Sequence, residues 1–324
     1  MINKTITGSN LKKFPLISQC YEYYWHFKMR MRDRGLKNIV VSGLDSNIAE
    51  YEHVFLKTSG RSLAEASIVE VGFGARPLRM FWLRSHGYNV HGVDLDFPIL
   101  KGSLAEFRSI FLKNGVHRLL KSIVRYFIFD KTLFRHLDEI LRVRGRGGLL
   151  IEADRFVVKA AEDVDFRAIC PGGIDFIFSE DVFEHISKNK LEELLKNLST
   201  ALAPDGCALF RPHIFSSIGG GHLPEWYPHL TRQRSPDSIS CRSEPWEHLR
   251  KRRFKANTYL NELRIKEYRK IISEHFEILS EENSEPDLGS KFLSRQIMTE
   301  LADYAKEELL LNNVRFICAK RKGL

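Results

Sequence analysis

The acids and imidazoles of this chain gather in two places where their spacing could do chemistry. Asp181-x-x-Glu184-His185 puts three ligating groups within one helical turn, because residues three and four apart share a face. His213 or His222, further along, could complete an oxygen-and-nitrogen set fit for Mg2+ or Mn2+. Glu184, His185 and His222 could instead serve a hydroxyl nucleophile, which must lose its proton during attack. The second place is Glu70-x-Gly72-x-Gly74, followed by Asp94 at the end of the next apolar run. Glycines there let backbone amides approach a ligand, and an acid ending the second strand accepts bonds from ribose hydroxyls. An adenosine-containing ligand is expected. The dinucleotide form of this pattern needs a third glycine where Pro77 stands, which ranks a nicotinamide-linked oxidoreductase last. An acid just ahead of the glycines repels phosphate and suits a cation.

These residues need elements to hold them. Ile68, Val69 and Val71 read as a buried strand, Leu78 to His86 as a helix, and Tyr88 to Asp94 as a second strand. Gly148 to Asp154 reads as a third strand ending in an acid, and Gly173 to Ser179 as a fourth that leads into the Glu180–His185 loop. Apolar residues at helical spacing predict a helix over Leu191–Leu202. A turn at Pro204-Asp-Gly206 and a fifth strand over Cys207–Phe210 follow. Tyr268–His275 makes a helix, Phe276–Ser280 a sixth strand and Val314–Cys318 a last one. Interleaved in this way, seven strands predict an α/β fold with a doubly wound, mostly parallel sheet.

The segments around Glu70, Gly72, Gly74 and Asp94 resemble the first motifs of class I S-adenosylmethionine-dependent methyltransferases, and the later strands keep the same order from about Arg61 to the end. The resemblance implies a Rossmann-like methyltransferase fold and S-adenosyl-L-methionine as cofactor. It implies Glu70 near the methionine end, Gly72 and Gly74 as the floor, Asp94 on the ribose and Asp154 on the adenine amine. Leu95, Ser179 and Glu180 join these as cofactor residues. Arg76 departs from the family, many members of which carry a small residue there. The Asp181, Glu184, His185 and His213 set is similar to a Glu-x-x-Glu-His arrangement in metal-assisted O-methyltransferases, with Asp181 replacing the first Glu. In many relatives without metal, the histidine at this point lines the pocket or acts as base. Methylation of exocyclic amines is disfavoured, because Ser179-Glu-Asp-Val182 stands where Asn/Asp-Pro-Pro-aromatic would be needed. An oxygen acceptor on a small molecule or glycan is expected. The Gly219-Gly-Gly-His222 loop with Trp226, Tyr227 and His229 offers flat surfaces for sugars, and its phrasing looks loosely like methyltransferases of surface polysaccharide synthesis. The alternatives are an RNA ribose 2′-O-methyltransferase and a non-catalytic protein of the same fold, the latter resting on Arg76.

Composition sets the remaining bounds. A 43% hydrophobic content is that of a globular protein, and no apolar run is long enough to span a bilayer or to act as a signal peptide. Five scattered cysteines without Cys-x-x-Cys spacing fit a reducing cytoplasm. A net charge of +9 raises anionic partners, with nucleic acid as second choice. Nine Lys and Arg between Lys113 and Arg146 face only three acids. They fall in a helical insert at about 100–147, read either as core with a solvated basic face or as a surface for anionic or membrane-linked substrates. Residues 1–60 read as a helical extension and 61–324 as the methyltransferase domain, with a substrate-loop region at about 212–264. Tyr21–Arg30 reads as a helix packed across the domain or a dimer contact. Arg250–Arg253 with Lys255 reads as a solvated basic run. Acceptor identity and oligomeric state stay open.

Overall fold

Short β-branched and aromatic runs that are apolar on both faces form the strands at the centre of the sheet, as expected where helices cover both sides. The structure is a computed structural model describing residues 24, 27–28, 37–236, 243–253 and 259–321. Its strands are β1 (Ser67–Val71), β2 (Asn89–Asp94), β3 (Phe156–Val158), β4 (Ile174–Glu180), β5 (Leu202–Arg211), β6 (Phe276–Asn283) and β7 (Val314–Lys320). They make one seven-stranded sheet in the order β3-β2-β1-β4-β5-β7-β6. Strands β1 to β5 pair in parallel, while β7 inserts antiparallel between β5 and β6. This is the doubly wound architecture expected from the order of segments.

Register decides where the chemistry can sit. Val71 pairs with Val93, Asp94 with Val158, and Glu180 with Arg211. The residues that follow β1, β2, β3, β4 and β5 therefore emerge along one edge. Strand order reverses between β1 and β4, and the crevice at such a switch point is where open α/β sheets bind ligands.

One face of the sheet is covered by α1 (Lys37–Ser59) and α2 (Leu78–Ser85). Val41, Leu44, Ile48, Tyr51 and Phe55 of α1 recur at the three-and-four spacing of a buried stripe and pack with Ile68, Phe176 and Leu209. In its described part, the N-terminal extension thus shares the core of the sheet. The other face carries α5 (Lys188–Ala201) and α6 (Ile265–His275), whose leucines and isoleucines meet Val69, Ile177 and Ala208. Between β2 and β3 lie α3 (Leu104–Arg125), a π-helical turn (Tyr126–Asp130) and α4 (Lys131–Val143). Leu133, Leu137 and Leu141 of α4 join the core over β1 and β2.

The third strand is not where the sequence pattern puts it. Gly148–Glu152 is irregular: the Leu149 and Leu150 amides donate to Asp138 Oδ1 and Ser85 Oγ, each at 2.8 Å, instead of to a neighbouring strand. The sheet takes Phe156–Val158, whose Phe156 ring packs edge-on against Phe73 at 5.2 Å and Phe81 at 5.9 Å. Most of Tyr21–Arg30, and Lys255, lie outside the described residues.

Candidate active site

Gly72 and Gly74 follow β1 with φ of 88° and 67°, conformations that favour glycine. A Cβ on Gly72 would also lie 2.0 Å from the Val182 side chain, so two strand ends close on each other at this point. The Gly74 amide donates to Asp94 Oδ2 and the Asp96 amide to Asp94 Oδ1, both at 2.7 Å. Those bonds aim the Asp94 carboxylate, and each oxygen keeps a second lone pair for a hydroxyl donor. Burial pushes the Asp94 carboxyl up to about 6, against the lowering effect of the Gly74 amide and of Arg118.

A cleft of about 680 Å³ opens along this edge, within the size range of small-molecule sites. Gly72, Gly74, Asp94, Leu95, Glu180, Asp181 and His185 all line it. Glu184, His213 and His222 do not line it and form a buried cluster of their own, and the expected cofactor residues that do not line it have identifiable reasons. Glu70 is buried under the glycine turn, where it accepts from Arg79 Nε at 2.8 Å, and Ser179 is buried within β4. Asp154 lies in a single 3-10 turn before β3, at the strand end opposite the cleft. Its place on the cleft wall is taken by the residues after β3, namely Ala160, Ala161 and Glu162, with Lys190 bonding Glu162 at 2.6 Å. Lys190, Glu162 and Tyr259 carried no recognisable motif. The run Phe156-Val-Val158, read as a strand, would have pointed to Glu162, which follows it, but not to Lys190 or Tyr259. Arg76 reaches Asp130 of the insert at 3.5 Å and is not among the residues lining the cleft. A second cleft of about 670 Å³, bounded by Lys159, Asp163, Asp165, Arg167 and Glu193, holds none of the glycine-edge residues.

Glu180 ties the cleft to α1. It accepts from Tyr51 Oη at 2.5 Å and from Arg211 at 2.9 Å, and pairs with Arg79 at 3.2 Å.

Beyond Glu180 the chain makes a sharp bend at Asp181 (φ 56°) and a 3-10 turn over Phe183–His185. His185 Nδ1 lies 2.9 Å from the Tyr259 carbonyl. A carbonyl can only accept, so Nδ1 carries the proton and Nε2 is the basic nitrogen of the neutral ring. The histidine rings cluster: His222 is 4.9 Å from His185 and 4.9 Å from His213. His222 Nε2 lies 3.7 Å from Glu184 Oε1. One ligand atom each from Glu184, His213 and His222 falls within 4.8 Å of the others. Glu184 Oε1 and His213 Nε2 are buried with no hydrogen-bond partner among the described residues. Burial raises the Glu184 carboxyl well above its ordinary value, with the charge of Asp181 adding to it, and burial lowers His213. Of the four metal ligands expected from the sequence, Asp181 is drawn off to Asn313 Nδ2 at 2.6 Å and His185 to Tyr259, and His222 takes their place in the cluster.

The glycine-rich loop has a different physical basis from the one expected. Gly219, Gly220 and Gly221 do not use positive φ, since the described left-handed residue of this loop is His222 at 53°. They are glycines because there is no room: a Cβ would lie 2.9 Å from His213 Nε2, 2.0 Å from Phe215 O and 2.6 Å from His248 Cβ, respectively. Trp226 is likewise core, donating to Ser243 Oγ at 2.8 Å and packing on Phe292, so it offers no face to a sugar. The basic run after Trp246 is paired throughout its described part, Arg250 and Lys251 with Glu244, Arg252 with Glu262, and Arg253 with Glu247.

No family model and no curated protein matches this chain. Among solved structures it is similar to a protein of Pyrococcus horikoshii at 13% identity, over 86% of this chain and 91% of that one, with a TM-score of 0.40. An S-adenosylmethionine-dependent methyltransferase of Clostridium acetobutylicum matches at 10% identity, over 93% and 98%, with a TM-score of 0.40. Magnesium protoporphyrin IX methyltransferase of Synechocystis, solved with bound S-adenosylhomocysteine, matches at 11% identity over 89% and 84%, with a TM-score of 0.39.

Proposed function

We propose that this protein is an S-adenosyl-L-methionine-dependent methyltransferase that acts on a hydroxyl of a small-molecule or glycan acceptor. The observation that carries the reading is the shared cleft, with Gly72, Gly74 and Asp94 on one wall and His185 on the other. When bound, S-adenosyl-L-methionine supplies a methyl group on a sulfonium, open to in-line displacement. Asp94 accepts from the ribose hydroxyls, and the glycine turn lets the ligand lie against backbone. Positioning of this kind supplies much of the rate of methyl transfer. His185 Nε2, with its tautomer set by the Tyr259 carbonyl, accepts the proton that the acceptor hydroxyl gives up.

Glu184, His213 and His222 fit a divalent cation. Two of their buried atoms lack other partners, and no described Lys or Arg pairs with the Glu184 carboxylate. Of the Mg2+ and Mn2+ expected, two imidazoles and one carboxylate suit Mn2+ better, and they suit Zn2+ as well, because Mg2+ prefers oxygen ligands. These three side chains are not among those lining the cleft, and an ion held there would sit behind His185, whose ring lies 4.9 Å from that of His222. The non-catalytic alternative loses its support, because Arg76 is held by the insert and does not fill the cleft.

Calorimetric titration with S-adenosylhomocysteine tests the cofactor reading. The wild type and Asp154→Ala should bind alike, whereas Asp94→Ala should bind at least about tenfold more weakly, the loss of a charged hydrogen-bond acceptor. Equal affinity in Asp94→Ala and wild type would sink the assignment.

A further inference from the structure

Helix α1 precedes the segments that resemble the cofactor motifs, yet it reaches the cleft through one hydroxyl. Tyr51 is buried, and its ring stacks on Phe178 of β4 with centroids 4.5 Å apart. Phenylalanine would fill that space as well. A buried hydroxyl is costly unless it is paired, so its presence calls for a partner. The partner is Glu180, whose Oε1 accepts from Tyr51 Oη at 2.5 Å. Burial, with the charge of Glu180 beside it, raises the Tyr51 phenol well above its ordinary value, so the group stays a donor.

On the carboxylate the partners divide unevenly. Oε2 faces two guanidiniums, Arg211 Nη1 at 2.9 Å and Arg79 Nη1 at 3.2 Å. Oε1 takes Tyr51 alone among the described residues, and a carboxylate oxygen can accept two donors. One acceptor position on Oε1 is therefore left, on a side chain that lines the cleft. Glu180 ends β4 and Asp94 ends β2, with β1 and its glycine turn between them. Two strand spacings, about 10 Å, separate those ends. A nucleoside whose ribose lies on Asp94 and whose far end crosses Gly72 arrives at Glu180. The other acids on that route are engaged or solvated. Glu70 accepts from Arg79 beneath the turn, Asp96 pairs with Arg118, and Asp181 is exposed and accepts from Asn313. We propose that Tyr51 is a positioning residue, holding Glu180 so that Oε1 accepts from the ammonium of a methionyl group, the place that the resemblance gives to Glu70. This rests on the reading of the cleft as a site for S-adenosyl-L-methionine, and it makes a helix outside the cofactor motifs part of ligand selection.

The test compares two ligands by calorimetric titration of the full chain. S-adenosylhomocysteine carries the ammonium, and 5′-methylthioadenosine has the same nucleoside and thioether without the amino-acid end. Tyr51→Phe should bind S-adenosylhomocysteine about fivefold more weakly, the worth of one hydrogen bond, and 5′-methylthioadenosine as the wild type does. Glu180→Gln keeps the shape and loses the charge. It should bind S-adenosylhomocysteine at least about tenfold more weakly, with 5′-methylthioadenosine again unchanged. A residue that only stabilised the fold would shift both ligands together or neither. Equal losses on both ligands, or no loss on S-adenosylhomocysteine, in either variant overturn the proposal and leave the cofactor reading in place. A wild type that binds neither ligand overturns both.

Discussion

Glu70 concentrates the electrostatics beneath the glycine turn in one buried side chain. One of its oxygens accepts from Arg79, and the other is buried without a partner among the described residues. Burial pushes its carboxyl up from 4.5 to about 7, although Arg79 opposes the shift. The folded protein thus holds a proton that the unfolded chain releases. Its stabilising contribution is complete below pH 4.5 and is lost as pH rises to about 7. The size of that loss is on the order of 2–3 kcal/mol. Asp94 titrates in the same sense, up to about 6, so both carboxylates strain the same turn at neutral pH. Thermal melts across this range should show wild-type stability falling, with a flatter profile for Glu70→Gln. Parallel profiles for the two proteins would show that Glu70 does not titrate there.

At the scale of elements, the loop after β5 matters because it is packed against the histidines. Gly219 lets the loop pass His213, and a methyl group at that position would push the ring aside by contact at 2.9 Å. Calorimetric titration with Mn2+ should show one site in the wild type, lost in His213→Ala. Gly219→Ala should weaken it about tenfold or more, the scale of effect seen when support around metal ligands is disturbed. Gly219→Ala binding Mn2+ as tightly as wild type would separate the loop from the cluster. The insert shows the same dependence on packing partners. Both of its helices look amphipathic in sequence, yet α4 turns Leu133, Leu137 and Leu141 into the core while α3 leaves its stripe in solvent.

Across the whole molecule, alternating charges link α1 to both halves of the sheet. Glu70, Arg79, Glu180, Arg211, Glu50, Arg315 and Glu282 follow one another as a chain of ion pairs. Arg211 is its midpoint, with 17% of its side chain exposed, between Glu180 at 8% and Glu50 at 22%. Arg211→Met leaves Glu180 and Glu50 with one cation fewer each, at a cost of about 2 kcal/mol in the unfolding free energy from urea titration, nearly independent of salt. A loss of about 0.5 kcal/mol or less, the worth of a solvated pair, would mean that the chain is screened by water. Among the described residues no helix is long and apolar enough to cross a membrane.

The sheet and its ligand edge were legible in the sequence because they rest on local rules. Two-sided apolar runs make buried parallel strands, glycines mark the turn at Gly72–Gly74, and Asp94 ends the strand that the turn faces. The third strand was not legible in the same way: Gly148–Asp154 has as strand-like a composition as Phe156–Val158, and only the aromatic packing of Phe156 on Phe73 and Phe81 selects between them. That choice moved Asp154 off the ligand edge. The sequence also placed Glu184 and His213 near one another, through their positions after β4 and β5. It could not say that Asn313 would engage Asp181, that Tyr259 would engage His185, or that His222 would close the cluster. Those contacts join residues far apart in the chain, and side chains that meet across such separations are chosen by the packing of the whole fold.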